Sequence, residues 1–184
     1  CAEAQDTSLL RHFRDWRSRL STSEFTISRE RILLRNPGET LRSAESVLSL
    51  FTFVARHGIQ LSWDAQRRIR AAVDTLKTSF AEHPPSQVAW CELFSQPNTA
   101  LALREMQETG LLTAAIPEWH SIDSLVVPDF YHRYTVDEHT FVAIEAIDRL
   151  FANQPGTPFR VRELLLEEED PGGLRLSLLL HDLG

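Results

Sequence analysis

Three side chains in the second half of the chain have the chemistry of metal ligands. His181 and Asp182 are adjacent and follow an apolar run over residues 176–180, and His139 lies upstream of them. Imidazole nitrogens and a carboxylate together suit Mn, Fe, Zn, Co or, less well, Mg, and they bind in their neutral or anionic forms. Adjacent helical residues point about 100° apart, so this pair converges on one ion only near a helix end. The pattern predicts a divalent metal centre.

Each of these residues also has an ordinary structural interpretation. His181 and Asp182 alone are typical of a helix C-terminus, where a histidine interacts favourably with the helix dipole and an aspartate is solvated. His139 alone is typical of the polar first turn of a helix. The metal interpretation is favoured only when the three residues are taken together with the sequence that precedes His139.

The elements that must position these residues are predicted to be helices. Thr135 or Asp137 can cap a helix that runs to about Phe151, with apolar residues at helical spacing. Breaks are expected at residues 153–158 and 171–173, and a further helix is expected at residues 160–166. The apolar run before His181 then forms a helix that ends at the His-Asp pair.

The first part of the chain is also predicted to be helical, with one exception. Residues 25–28 and 32–34 are rich in β-branched residues, which indicates a small hairpin or an extended connector. Helices are expected at residues 8–20, 39–56 and 63–80, after Ser86, and from residue 99 to Gly110, with Gly58 and Ser62 as cap residues. Sustained period-two strands are absent from the sequence, so we predict an all-α fold with a boundary near residues 117–130.

Composition and charge narrow the class of protein. The 184 residues are 42% hydrophobic, and no apolar stretch approaches the roughly twenty residues that span a bilayer, so we expect no membrane association. The net charge of -7 discourages binding to a nucleic-acid backbone. Cys1 and Cys91 are too few for a disulfide framework, and no N-terminal leader is recognisable, which together predict a cytoplasmic protein.

A dense resemblance to a known family surrounds His139. Residues 129–140, DFYHRYTVDEHT, closely resemble a segment of the bifunctional uridylyltransferase/uridylyl-removing enzymes. The similarity extends upstream to Met106 through residues 109–112 and 116–119, and downstream to residues 178–184. Residues 34–37 and 48–57 more weakly resemble the helical linker that precedes the hydrolase domain of that family. The resemblance covers most of the chain.

The resemblance implies a role in nitrogen regulation. In that family one domain attaches UMP to a tyrosine of the regulatory protein PII, and an HD-type phosphohydrolase domain removes it. Residues 1–115 would then be a helical linker and residues 116–184 the N-terminal part of an HD domain. In that domain His139, His181 and Asp182 would bind the metal, with His181 and Asp182 as catalytic residues. We expect Mg²⁺ or Mn²⁺ as the cofactor, with Zn²⁺ or Fe²⁺ as alternatives, and a PII-type protein and a uridine nucleotide as partners.

The sequence departs from the family pattern in two respects. It contains no Gly-Ser followed by paired aspartates for nucleotidyl transfer, and no segment that could form the ACT domains of the family. The HD pattern also requires a later aspartate beyond the His-Asp pair. We therefore expect the chain to be part of a larger enzyme and to be inactive by itself. Two alternatives stay open: an HD phosphohydrolase acting on free or cyclic nucleotides, and a noncatalytic helical interaction module.

Several residues near His139 are candidates for supporting roles. His132, Arg133 and Tyr134 are candidates for a contact with substrate or with a metal ligand, because arginine suits phosphate oxygens and tyrosine can stack or form hydrogen bonds. For the tyrosine, packing is the favoured interpretation, and an interdomain contact is the alternative for His132. Asp137 and Glu138 can stabilise the helix N-terminus or act as bases. Core or interdomain packing is predicted for the four tryptophans, Trp16, Trp63, Trp90 and Trp119.

Overall fold

The computed structural model describes residues 24–125, 135–152 and 170–183. These residues form a two-stranded sheet followed by helices, which confirms the predicted mainly α class. The strands are β1 (Phe25–Ser28) and β2 (Arg31–Leu34), and the α-helices are α1 (Pro37–Thr40), α2 (Ala44–His57), α3 (Trp63–Glu82), α4 (Gln87–Phe94), α5 (Thr99–Thr109), α6 (Leu111–Ala115), α7 (Val136–Phe151) and α8 (Pro171–Leu180). A 3₁₀ helix (Pro117–Ser121) follows α6.

The predicted hairpin is confirmed, and backbone hydrogen bonds of its second strand join it to the helical part. β1 and β2 are antiparallel, and the two turn residues, Arg29 and Glu30, both have positive φ angles of 49° and 59°. Positive φ at both positions is the type I′ geometry that matches the twist of paired strands. Ile32 is fully buried, its N–H donates to Gln60, and its carbonyl accepts from Ser62, so the hairpin is bonded to the segment that precedes α3.

The predicted helix at residues 39–56 is wrong in its first part. The chain forms the single turn α1 and then starts again at Ala44, because the hydroxyl of Ser43 accepts the backbone N–H of Ser46 and caps α2. The end of α2 is as predicted, since Gly58 adopts φ 64° as its C-cap. Asn98, just before α5, donates both its backbone N–H and its side-chain Nδ2 to the carbonyl of Ala55, each at 3.0 Å.

Serine hydroxyls begin the next two helices, as predicted. The Ser62 Oγ accepts the N–H of Ala65 at the start of α3, and the Ser86 Oγ accepts the N–H of Ala89 at the start of α4, both at 3.2 Å. Each bond satisfies one of the N–H groups that a helix N-terminus leaves without an intrahelical acceptor.

The start of α8 corrects a second prediction. Residues 171–173 do not break the helix but begin it, since a proline in the first turn lacks only an N–H that has no intrahelical acceptor there. The carboxylate of Asp170 caps the turn by accepting the N–H of Gly173 at 2.8 Å. Gly172 is buried against the end of α4, where an added Cβ would lie 3.0 Å from the Ser95 Oγ. The predicted helices at residues 8–20 and 160–166 lie outside the described residues.

One hydrophobic core runs from the hairpin to α8. It contains Ile32 of β2, most apolar residues of α2, and contributions from each of the longer helices, including Ile144 of α7 and Leu179 of α8. Trp119 is fully buried, as predicted, whereas core packing is wrong for Trp63, which is 75% exposed, and its interdomain packing stays a prediction. Among the described residues, no helix combines the length and the apolar character that a membrane crossing requires.

Candidate metal centre

Two helices bring the predicted ligands together. α7 starts after Thr135, whose carbonyl accepts the backbone N–H of His139 at 2.8 Å, so His139 lies in the first turn. α8 buries Arg175 and Leu179 and ends at Leu180, so His181 and Asp182 follow its last turn. The N-terminus of α7 therefore lies beside the C-terminus of α8. The centroids of the His139 and His181 rings are 6.3 Å apart. All three predicted ligands are exposed.

The hydrogen bonds of His181 define which of its nitrogens is free. Its Nδ1 lies 2.6 Å from the carbonyl oxygen of Leu178, and since a carbonyl can only accept, Nδ1 carries the proton and donates it. In a neutral imidazole Nε2 is then a lone-pair acceptor. This Nε2 lies 3.0 Å from the Asp182 Oδ2.

Two acceptors at 3.0 Å repel each other unless a positive charge lies between them or on one of them. A second proton on His181 would satisfy the contact and give the helix-terminal ion pair of the ordinary interpretation. A divalent cation would also satisfy it, because two donor atoms that each lie about 2.1 Å from an ion, at right angles, are about 3 Å apart. The Leu178 carbonyl corresponds to the outer hydrogen bond that orients metal-bound histidines.

His139 lies near this pair but does not close around the same point. Two imidazoles bound to one ion have ring centroids at most about 6.5 Å apart, so 6.3 Å is near the upper limit. Within residues 24–125, 135–152 and 170–183, no three His, Cys, Asp or Glu side chains converge closely enough to hold a metal ion. The donor types fit a divalent cation, and the assignment of the three ligands stays a prediction.

The chain is similar in sequence to bifunctional uridylyltransferase/uridylyl-removing enzymes. The chain is 26% identical over 163 residues to a bifunctional uridylyltransferase/uridylyl-removing enzyme of Haemophilus influenzae strain 86-028NP, and 28% identical over 168 residues to that of Pasteurella multocida strain Pm70. These alignments include 87% and 90% of the chain. The predicted resemblance to this family is confirmed. The chain spans 19% of the length of each of these relatives.

Other comparisons add no further relatives. No family model matches the sequence, and no solved structure matches it. The similarity to the uridylyltransferase/uridylyl-removing enzymes is therefore one of sequence, over most of the chain.

The remaining predicted site residues have different outcomes. His132, Arg133 and Tyr134 lie outside the described residues, so their contacts to substrate stay predictions. Glu138 accepts two hydrogen bonds from the Arg104 guanidinium on α5, at 2.6 and 2.9 Å, and this pairing raises the pKa of Arg104. The Glu138 carboxylate thus joins α7 to α5. Asp137 is buried, and within the described part of the chain its Oδ1 has no hydrogen-bond partner.

Sequence reasoning missed the buried charges beside the centre. Arg175 of α8 and Asp148 of α7 form an ion pair that is almost fully buried. The available signal was the single charged residue inside the apolar run 174–180, because a charge on a buried helix face requires a partner. The partner could not be chosen from the sequence, since many carboxylates precede Arg175.

A cleft of about 290 Å³ lies between α5 and α7 and is separate from the predicted ligands. Its charged lining residues are Arg104, Glu145, Asp148 and Arg149. Glu145 pairs with both arginines, at 3.7 and 3.4 Å, so the charges in the cleft are mutually compensated. The chemistry of the imidazoles therefore makes the ends of α7 and α8, rather than this cleft, the candidate site.

Proposed function

We propose that His139, His181 and Asp182 are metal ligands of an HD-type phosphohydrolase domain, and that the parent enzyme removes UMP from a uridylylated PII-type protein in nitrogen regulation. The contact between the His181 Nε2 and the Asp182 carboxylate carries the proposal, because Nδ1 is already bonded to Leu178. The similarity to uridylyl-removing enzymes supports the proposed substrate class.

Mg²⁺ or Mn²⁺ is the proposed cofactor, with Zn²⁺ or Fe²⁺ as alternatives. Such an ion would polarise a phosphoryl oxygen and would lower the pKa of water, so that hydroxide is available to attack phosphorus at neutral pH. His139 and His181 would contribute neutral nitrogen donors, and Asp182 would contribute the negative charge. The Leu178 carbonyl keeps the proton of His181 on Nδ1 and so leaves Nε2 for the ion.

The reaction proposed for the parent enzyme is hydrolysis of a phosphodiester between UMP and a tyrosine oxygen. Water adds to phosphorus, the bond to the tyrosine oxygen breaks, and UMP and the unmodified tyrosine are released. We further propose that the present chain alone is inactive and binds metal weakly, because its described residues offer no closed set of three ligands.

The test measures Mn²⁺ binding and hydrolysis of the nitrophenyl ester of UMP by the intact parent enzyme, with residues numbered as in this chain. His139→Ala and His181→Ala should each weaken one component of Mn²⁺ binding about tenfold or more and abolish hydrolysis. His120→Ala removes an exposed histidine of the 3₁₀ helix and is the matched control, which should leave both unchanged. Mn²⁺ binding that is the same in all three variants would instead support the noncatalytic helical module.

A further inference from the structure

The buried ion pair between Arg175 and Asp148 joins four helices. The Arg175 Nε donates to the Asp148 Oδ1 at 2.7 Å, and Nη1 donates to the carbonyl of Phe94, the last residue of α4, at 3.0 Å. The Asp148 Oδ2 accepts the backbone N–H of Ala100 in the first turn of α5 at 2.9 Å. The pair thus bonds α8 to α7 and α4, and α7 to α5. Only 2% of the Arg175 side chain and 9% of the Asp148 side chain are exposed.

The buried ion pair fixes the orientation of α8 more than it stabilises the contacts between the helices. Burying two charges has a desolvation cost that often offsets their attraction, and apolar residues of similar size can stabilise a helix contact equally well. An arginine, however, presents its donors in one plane with fixed directions. Because Nε and Nη1 of Arg175 bond to two different helices, α8 has little freedom to rotate or slide without breaking one of these bonds.

The two helices that the pair connects carry the three predicted ligands. His181 and Asp182 follow directly on α8, which contains Arg175, and His139 is in the first turn of α7, which contains Asp148. A helix transmits its orientation along its axis, at 1.5 Å of rise per residue, so Arg175 acts about 9 Å from His181. A small rotation of α8 would therefore change the separation between the His139 and His181 rings, which is 6.3 Å.

We propose that Arg175 and Asp148 are positioning residues for the candidate metal centre, which keep α8 in the orientation that places His181 and Asp182 beside His139. This inference rests on the proposed function. Arg175 and Asp148 themselves would contact neither the metal nor the substrate.

The test compares Mn²⁺ affinity with stability in Arg175→Met and in the conservative Arg175→Lys. In the intact parent enzyme, one component of Mn²⁺ binding is expected to be weakened by His181→Ala. Arg175→Met should raise the Kd of that same component by about tenfold or more, as is typical of residues that support metal ligands. Arg175→Lys keeps the charge but cannot make both bonds, so its Kd should lie between those of Arg175→Met and the wild type. Thermal midpoints of the present chain show how much each substitution destabilises the fold.

The matched control is Leu76→Ala in the buried face of α3, which lowers the thermal midpoint without touching the pair. At a temperature where all variants are folded, Leu76→Ala should keep the wild-type Kd. An unchanged Kd in folded Arg175→Met would overturn the inference and leave the proposed function standing. If Arg175→Met does not fold, an unchanged Kd in Arg175→Lys has the same meaning. Absence of a His181-dependent component in the wild-type parent would instead overturn the proposed function, and the inference with it.

Discussion

Glu105 is a carboxyl group buried between α5 and α3, with only 3% of the residue exposed. Its Oε2 accepts the Gln66 Nε2 at 2.8 Å, and its Oε1 accepts the backbone N–H of Leu61 at 3.3 Å. Burial raises the pKa of Glu105, the nearby Glu108 adds to that effect, and the two hydrogen bonds oppose it. Because burial is the largest cause, the folded chain binds the proton of Glu105 more tightly than the unfolded chain does.

This raised pKa predicts the direction of a pH dependence. As the pH rises from the ordinary glutamate pKa through the raised value of the folded state, the unfolded chain loses its proton first, so the free energy of unfolding decreases. Glu105→Gln should remove this decrease, which urea denaturation at a series of pH values can measure. Ile69→Val is the control, because it should lower the free energy of unfolding by about 0.5–1.5 kcal/mol at every pH. Parallel curves for the wild type and Glu105→Gln would contradict the prediction.

Single residues of the site were predictable from the sequence to different degrees. His139, His181 and Asp182 are predicted as ligands by type and context and stay predictions, although the start of α7 and the end of α8 do lie together. The buried pair of Arg175 and Asp148 was not recognised, because a contact between residues 27 positions apart depends on how the helices pack. The supporting residues predicted at 132–134 stay predictions.

At the scale of elements, the start of a helix is predictable where a capping serine lies outside any apolar helical pattern. Ser62 and Ser86 stand between an irregular segment and a helical run, and each accepts the expected N–H. Ser43 stands inside an apolar pattern that continues through residues 41–54, so periodicity concealed the cap. Because proline and glycine usually end helices, the sequence predicts a break at residues 171–173. Here the proline begins the helix, and Gly172 permits a close approach to Ser95.

The cap of α3 should contribute measurably to stability. Ser62→Ala removes the acceptor of the Ala65 N–H and should lower the free energy of unfolding by about 1 kcal/mol. Ser49→Ala, at an exposed position inside α2, is the matched control and should change stability by no more than about 0.5 kcal/mol, since alanine favours helices. Both values come from urea denaturation of the present chain. A loss at Ser49 equal to that at Ser62 would argue against a capping effect.

At the scale of the whole molecule, the described residues share one core across the predicted boundary at residues 115 and 116. The Trp119 ring packs against the Phe141 ring of α7, with centroids 5.5 Å apart, and its Nε1 donates to the Gln107 side chain of α5 at 2.8 Å. Leu179 of α8 belongs to the same cluster as Ile32 of the hairpin. The division into a linker and an HD domain stays a prediction, but the packing favours cooperative unfolding.

We expect a single unfolding transition that depends strongly on Trp119. Trp119→Ala should lower the free energy of unfolding by about 3–5 kcal/mol, because it removes a fully buried ring that contacts both sides of the predicted boundary. Trp63→Ala is the matched control, and since Trp63 is 75% exposed, its effect should stay within about 0.5 kcal/mol. Circular dichroism and fluorescence should give coincident transitions. Two separate transitions, only one of them sensitive to Trp119, would show independent domains.

The double hydrogen bond from Asn98 to the Ala55 carbonyl has a consequence for local opening. A helix end that is exposed to water usually frays by itself, and its amide protons exchange quickly. Here the Ala55 carbonyl in the last turn of α2 accepts both bonds from Asn98, the residue before α5, and the Gly58 backbone lies next to the Asn98 side chain. Fraying of α2 therefore also releases the start of α5. The two ends should open as one unit, with similar protection of their amide protons against exchange.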